Sequence, residues 1–348
     1  MFAVQVLALF ILLVVATIYL YLFYRKQAFI YTSRISKNLE KWISTIVMEE
    51  SLDNVVLPKR FYHMMTNALA RQYVIDELIG CKKNFSGLAG ENIKELYLEL
   101  GLKAESVKKM KHGNGWHIKA KGIQELYTMG QTDMLPAIYK LTNSSNEFVR
   151  MEAQTAIIHL SGFPGLRFLD VISYPLTEWQ QLKLLEQLKL TPIKEDLTGK
   201  IPHWLASKND TVVIFALKLA DEYQLYHLKS QVIACLVHPI ASVRSQGLKT
   251  LVRIADESAP SILLGYLNKE DYMNQAYILD ALQYLATDRE KPFLLQLLDY
   301  PNEKIKLKAA IVIAKCCTDG LEMIKQRALT QPVPFGEIFL HVTEVVKT

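Results

Sequence analysis

One nine-residue pattern, Val243-Arg244-Ser245-Gln246-Gly247-Leu248-Lys249-Thr250-Leu251, constrains this chain more than any other feature, because it returns at a nearly constant interval. Ile118 to Leu126 repeats it in order: a branched apolar residue, a cation, two variable positions, a glycine, then apolar residues. Looser copies begin at Val149, Trp179, Val212, Tyr272 and Ile305, so successive starts lie 31, 30, 33, 31, 29 and 33 residues apart. A period of this length marks a solenoid, in which each repeat buries its apolar face against its neighbours.

The fifth position of the copies is Gly122, Ala153, Lys183, Ala216, Gly247, Ala276 and Ala309, small in every copy but one. Two helices can approach closely only where the crossing point lacks a bulky side chain. Lys183 breaks the rule, and its repeat is the weakest of the seven. Each repeat has two halves. The first is a short apolar helix, opened by Pro136, Pro202, Pro260 or Pro292, since proline is tolerated in the first helical turn. The second is the longer helix that carries the pattern. Glu147, Glu178, Asp210, Asp271 and Glu303 stand near its positive end, where the macrodipole favours them, and Ser145, Thr177, Asn209 and Asn302 are the expected N-caps.

A single globular core would divide at 348 residues, whereas a solenoid grows by adding neighbours. Length therefore sets no domain count. The formal charge of +5 is mild and the basic residues form no single block, so charge alone names no partner. Cys81, Cys235, Cys316 and Cys317 show no paired metal-ligand spacing and imply no disulfide framework. Buried reduced thiols, as in a cytosolic compartment, are the expectation.

Residues 1–24 read as a transmembrane anchor. Phe2 to Phe23 carries no charge, and as a helix it would cover about 33 Å against a hydrocarbon core of about 30 Å. Tyr19, Tyr21 and Tyr24 suit an interfacial belt, and Arg25, Lys26, Arg34, Lys37 and Lys41 place the bulk of the chain on the cytoplasmic side. No cation precedes the apolar run and no small-x-small site follows, which argues against a cleaved signal peptide. Residues 25–57 read as a juxtamembrane amphipathic helix, with Phe29, Ile30, Ile35, Leu39, Trp42, Ile43, Ile46 and Val47 at near-helical spacing. Such a stripe serves either headgroup contact or packing on the first folded helices. Ser51 to Leu57 breaks it, and Pro58 suits the opening of the next helix. Residues 58–112 are helical without following the repeat and read as an N-terminal cap, with Gly101 and Leu102 fitting a Schellman ending. Residues 113–348 form the repeat array, closed by a helix over Phe335 to Val346.

Helix pairs of about this period, with a branched apolar residue and a cation opening the second helix and a small residue four on, resemble HEAT repeats, especially the short HEAT-like class. The resemblance implies an all-α, right-handed α-solenoid preceded by one transmembrane helix. The segment Phe85 to Gly130 together with the anchor is similar to membrane-anchored HEAT proteins of Bacteroidota, which implies a single-pass protein of a bacterial inner membrane. The chain departs from the common HEAT pattern in lacking a regular aspartate before each cation, which puts an Asp–Arg ladder between repeats in doubt.

Catalytic motifs are absent from the sequence: no HExxH, GxSxG, phosphate-binding glycine loop or CxxC occurs. His112 and His117 flank Gly113-Asn114-Gly115-Trp116, and two histidines alone make no metal site. No histidine is followed by glutamate, so the HEAT-like hydroxylase reading fails. The expectation is a non-enzymatic scaffold with no cofactor, metal or small-molecule substrate, binding a protein partner such as a membrane-associated enzyme. The expected inner face of the second helices offers Lys119, Arg150, Arg244, Gln246, Lys306 and Lys308, with Lys121, Glu152 and Gln275 in the same rows. The alternative is a repeat protein that binds an anionic polymer, or a HEAT-like enzyme acting on nucleic acid, for which Lys103, Lys108, Lys109, Lys111, Lys119 and Lys121 supply a basic footing. An anchored protein cannot freely search DNA and interleaved aromatics are missing, so nucleic acid is the weaker partner.

Overall fold

The computed structural model describes residues 2–48, 59–190, 199–254 and 256–347, and among them every regular element is a helix. Helix α1, Phe2–Met48, contains no glycine or proline, the residues that interrupt helices. The segments expected on either side of residue 24 are accordingly one uninterrupted helix. Within it Gln5–Lys37 is long and apolar enough to cross a membrane, and Leu7, Phe10, Leu12 and Val15 are each more than half exposed. The break expected at residues 51–57 and the helix start at Pro58 lie outside the described residues.

The chain divides into two compact units, Met1–Ile172 with Glu186–Ile193, and Ser173–Leu185 with Lys194–Thr348. In the first unit, α2 (Lys59–Met64), α3 (Ala68–Asn84) and α4 (Gly87–Glu99) gather around the part of α1 that carries Tyr31 and Ile35. Ile35 of α1 is buried with Phe61, Val74, Leu78, Ile93, Leu96 and Tyr97, and Tyr31 packs beside them. Each fully buried aliphatic side chain contributes about 1.5–3 kcal/mol. The stripe after residue 25 thus packs on the folded helices through Tyr31 and Ile35, while Phe29 stays exposed. Gly101 adopts the left-handed conformation (φ +66°), and Leu102 beside it is fully buried, as a Schellman ending requires. Helices α5 (Leu102–His112) and α6 (Trp116–Thr128) then pair, as do α7 (Leu135–Tyr139) and α8 (Glu147–Ser161). Helices α3, α6 and α8 stack in one row.

Helix α9 (Glu178–Lys189) contributes to both units. The second unit then runs through α10 (Ile201–Leu205), α11 (Asp210–Glu222), α12 (Lys229–Ala234), α13 (Ala241–Arg253), α14 (Ala259–Leu267), α15 (Tyr272–Leu285), α16 (Lys291–Gln296), α17 (Glu303–Cys316), α18 (Gly320–Thr330) and α19 (Pro332–Lys347). Short and long helices alternate up to α17, as the proline-opened halves predict. The long ones, α11, α13, α15 and α17, pack in succession, and α19 closes on α17.

The close approaches fall where small residues stand. A Cβ on Gly122 would lie 2.5 Å from Met110 N and 2.7 Å from Ser106 O, backbone atoms of α5 that cannot yield. At Gly247 the nearest atom is Leu236 Cδ2 at 3.0 Å, the end of a flexible side chain. Gly122 is therefore the tighter crossing. Ala153, Ala216 and Ala309 are fully buried. Lys183, the exception, is partly exposed and carries its ammonium 5.4 Å from the centre of the Trp179 ring, a cation–π contact that accommodates a charge at this position. Asn209 and Asn302 cap as expected, with their side chains accepting from Thr211 N and from Lys304 N and Ile305 N. For α8 the cap is Asn146, not Ser145, its Oδ1 accepting from Val149 N at 3.2 Å. Asp271, expected only as a dipole partner, caps α15 by accepting from Asn274 N.

Candidate binding surface

The arginines that follow the anchors Val149 and Val243 turn toward the preceding linker. Arg150 is 7 % exposed, and its Nη1 donates to Ser144 O at 2.7 Å and Ser145 O at 3.4 Å, six and five residues back. Arg244 Nη1 donates to His238 O at 3.0 Å and Pro239 O at 3.2 Å, again six and five back. Arg71 of α3 makes the same pair of bonds, to Met65 O and Thr66 O. The guanidinium fork holds the orphan carbonyls of the turn before its helix. Arg71 and Arg244 also reach carboxylates of a following segment, Glu105 at 2.9 Å and Glu270 at 2.8 Å. These arginines fasten repeat to linker instead of lining an open row.

The other expected residues divide. Lys308 pairs with Asp280 of α15 at 2.5 Å. Gln246 donates weakly to Thr250 Oγ1 at 3.4 Å. Gln275 is buried and donates to Leu267 O at 3.1 Å. Lys119 and Lys306 form no ion pair with a described residue. An inter-repeat ladder does exist, built from other acids: Lys103 pairs with Asp133 at 2.6 Å, Lys229 with Asp256 at 2.5 Å, Arg253 with Asp221 at 3.3 Å, and Arg327 with Asp299. Each joins residues about one period apart. The Lys229 ammonium and the Ser258 hydroxyl and amide hold the Asp256 carboxyl down to about 2.

The first unit also contains a buried polar network that its sequence pattern conceals. Glu125 is fully buried on α6. Its Oε2 accepts from the Ser106 hydroxyl at 2.6 Å, and its Oε1 accepts from Gln72 Nε2 at 3.1 Å and from the Lys109 ammonium. Ser106 accepts in turn from the Tyr97 hydroxyl at 2.8 Å, a phenol raised well above its ordinary range by burial and by the Glu125 charge, against the pull of the Ser106 bond. Four helices, α3 to α6, thus meet on one carboxylate. The sequence signal is weak: an acid stands where four other copies carry Ala156, Leu219, Leu279 or Val312, but the remaining two carry Glu186 and Thr250.

Beside this network opens a cavity of about 490 Å³, lined by Asp76, Lys83, Trp116, His117, Gln124 and Glu152 among others. Lys121 crosses it to Asp76 at 2.9 Å. Glu152 accepts from the Tyr127 hydroxyl at 2.9 Å, and burial, with Glu152 second, raises that phenol. At the rim the rings of Trp116 and Phe148 stack with centroids 4.3 Å apart. The result is a concave patch in which Lys121 and Asp76 already neutralise each other. Three of the six lysines that could have addressed an anionic polymer, Lys103, Lys109 and Lys121, are held by Asp133, Glu125 and Asp76.

No protein-family model matches this sequence, and no curated protein matches it significantly. Among solved structures, a crystal structure of a Kap121p mutant aligns with a TM-score of 0.53 at 14% identity, covering 82% of this chain and 36% of that one. The chain thus spans about a third of the length of that neighbour. The CpcE and CpcF complex of phycocyanin lyase from a Nostoc species covers 84% of this chain and 95% of its own at 10% identity, with a TM-score of 0.25. The stacked helix pairs and the first of these likenesses agree on one fold, and the chain is an all-α protein of HEAT-like helical repeats.

Proposed function

We propose that this protein is a non-enzymatic scaffold, tethered to a membrane by α1, that presents the exposed faces of its long helices to a protein partner at the cytoplasmic surface. The observation that carries the reading is α1 itself. Between Val6 and Tyr24 it exposes leucine, valine, isoleucine and phenylalanine all round, while the same helix, eleven residues after Tyr24, buries Ile35 in the core of the first unit. An apolar surface of that size in water is strongly unfavourable at about 25 cal/mol per Å², and a bilayer removes it. Arg25 and Lys26 at the end of the run set the orientation. Fusion of alkaline phosphatase or green fluorescent protein after Thr348 tests it. Fluorescence without phosphatase activity, together with loss from the membrane fraction when residues 2–24 are deleted, is the expected result. Phosphatase activity, or unchanged fractionation of the deletion, overturns the tether or its orientation.

A further inference from the structure

The exposed face of α11 and α13 brings two cations, Lys218 and Lys249, next to each other. Lys218 and Lys249 both stand nine residues past their helix caps, Asn209 and Ile240. Two ties between the helices bracket them. The Thr250 hydroxyl donates to Leu217 O at 3.0 Å, and Arg253 Nε reaches Asp221 Oδ1 at 3.3 Å one turn further on. Lys218 follows Leu217 and Lys249 precedes Thr250, so the two lysines stand side by side. Neither forms an ion pair with a described residue. The acids nearby do not neutralise them: Asp221 is engaged by Arg253, Asp280 at the same position of α15 pairs with Lys308, and Glu178 attracts Lys218 without bonding to it. Lys218 is half-buried, and burial, then Lys249, push its ammonium below the usual lysine range against the pull of Glu178. A half-buried cation beside a second cation is an arrangement that folding disfavours and a bound anion relieves.

We infer that Lys218 and Lys249 form the recognition point for a carboxylate-bearing, acidic segment of a protein partner, laid across the exposed face of α11, α13 and α15. The inference rests on the scaffold reading and names the chemistry of its partner. Charge complementarity selects the anion. The half-burial of Lys218 favours a carboxylate carried on a flexible side chain, which can reach in, over the flat plane of a headgroup layer. The neighbouring α15 offers Met273 and Tyr284, 74 % and 83 % exposed, where apolar residues of a peptide can settle, and aromatic and methionine side chains are enriched at such surfaces.

The test uses the full chain in detergent and a fluorescent oligo-glutamate peptide as probe, read by anisotropy, with phosphatidylserine vesicles, inorganic phosphate and oligo-lysine as parallel ligands. The variants are Lys218→Gln with Lys249→Gln, and Lys315→Gln as a control for an exposed cation elsewhere. The expected result is binding of oligo-glutamate that weakens with salt, falls about tenfold in the double variant and is unchanged in the control, while thermal melting of the double variant equals or exceeds that of the parent. Equal binding by parent and double variant, or no binding by the parent, overturns the inference. Vesicle or phosphate binding that depends on the two lysines, with oligo-glutamate indifferent to them, overturns it in favour of a lipid or free anion. These results do not depend on whether a natural partner is found. If membranes yield a partner that the double variant still captures, the site is wrong and the scaffold stands; if they yield none, the scaffold itself falls.

Discussion

The row α3, α6 and α8 and the row α11, α13 and α15 are built to the same register and use their charges in opposite ways. In the first, Lys109 and Lys121 close on Glu125 and Asp76, and the position nine past the caps holds Asp76, Gln124 and Thr155, with no cation among them. In the second, that position holds Lys218, Lys249 and Asp280; Lys308 pairs with Asp280 and Arg253 engages Asp221, so the two lysines keep no acid of their own among the described residues. A repeat fold needs only its apolar and small positions to stack. What each repeat does with its exposed rows is free, so one row consolidates the fold and the other is left to meet something outside it.

The largest expected effect breaks the first row at its centre. Glu125→Ala leaves Lys109 and Ser106 without their shared acceptor and should cost about 3–5 kcal/mol. Hydrogen exchange followed by mass spectrometry should show α5 and α6 losing protection while α11 to α17 keep theirs. Equal loss in both regions would mean that the two rows are not independent in stability.

Next come the arginines that fasten helix to linker. Arg150→Glu with Arg244→Glu should destabilise the chain by several kcal/mol, since hydrogen bonds from a charged donor contribute about 1.5–3 kcal/mol each. Melting that stays within about 0.5 kcal/mol of the parent, as for ordinary surface positions, would instead place both arginines on an open face. Gly122→Leu should follow at about 1–3 kcal/mol by overpacking, and should exceed Gly247→Leu, because backbone meets the new side chain at one position and a flexible leucine end at the other. The smallest effect is at the caps: Asn302→Ala should lower stability by about 1 kcal/mol, whereas Ser145→Ala should not, Asn146 being the cap of α8.

The period, the helix pairs and the small crossing positions were legible because they are local and recur from copy to copy, with Lys183 the one large crossing residue. The roles of the cations were not. Arg150 and Lys119 occupy one register position, yet only the arginine finds two carbonyls behind it, and those carbonyls are aimed by the turn at Ser144 and Ser145, not by the helix pattern. Glu125 draws its partners from 53, 19 and 16 residues away, so no single repeat announces it. At the caps, Ser145 and Asn146 are both competent residues, and the choice between them depends on where the linker leaves the chain. Inter-repeat ion pairs escaped notice for the same reason: they join unlike positions of successive copies.

The claim that the second row is the one that meets a partner is tested most directly by photo-crosslinking in intact membranes. A benzoylphenylalanine placed at Ser245, beside the Lys249 turn of α13, and another placed at Gln124, beside the matched charges of α6, are compared in the full chain. The account predicts a discrete protein adduct from position 245, lost when Lys218 and Lys249 are both replaced by Gln, and none from position 124. An adduct from position 124 alone, or one from position 245 that persists without the lysines, would contradict it.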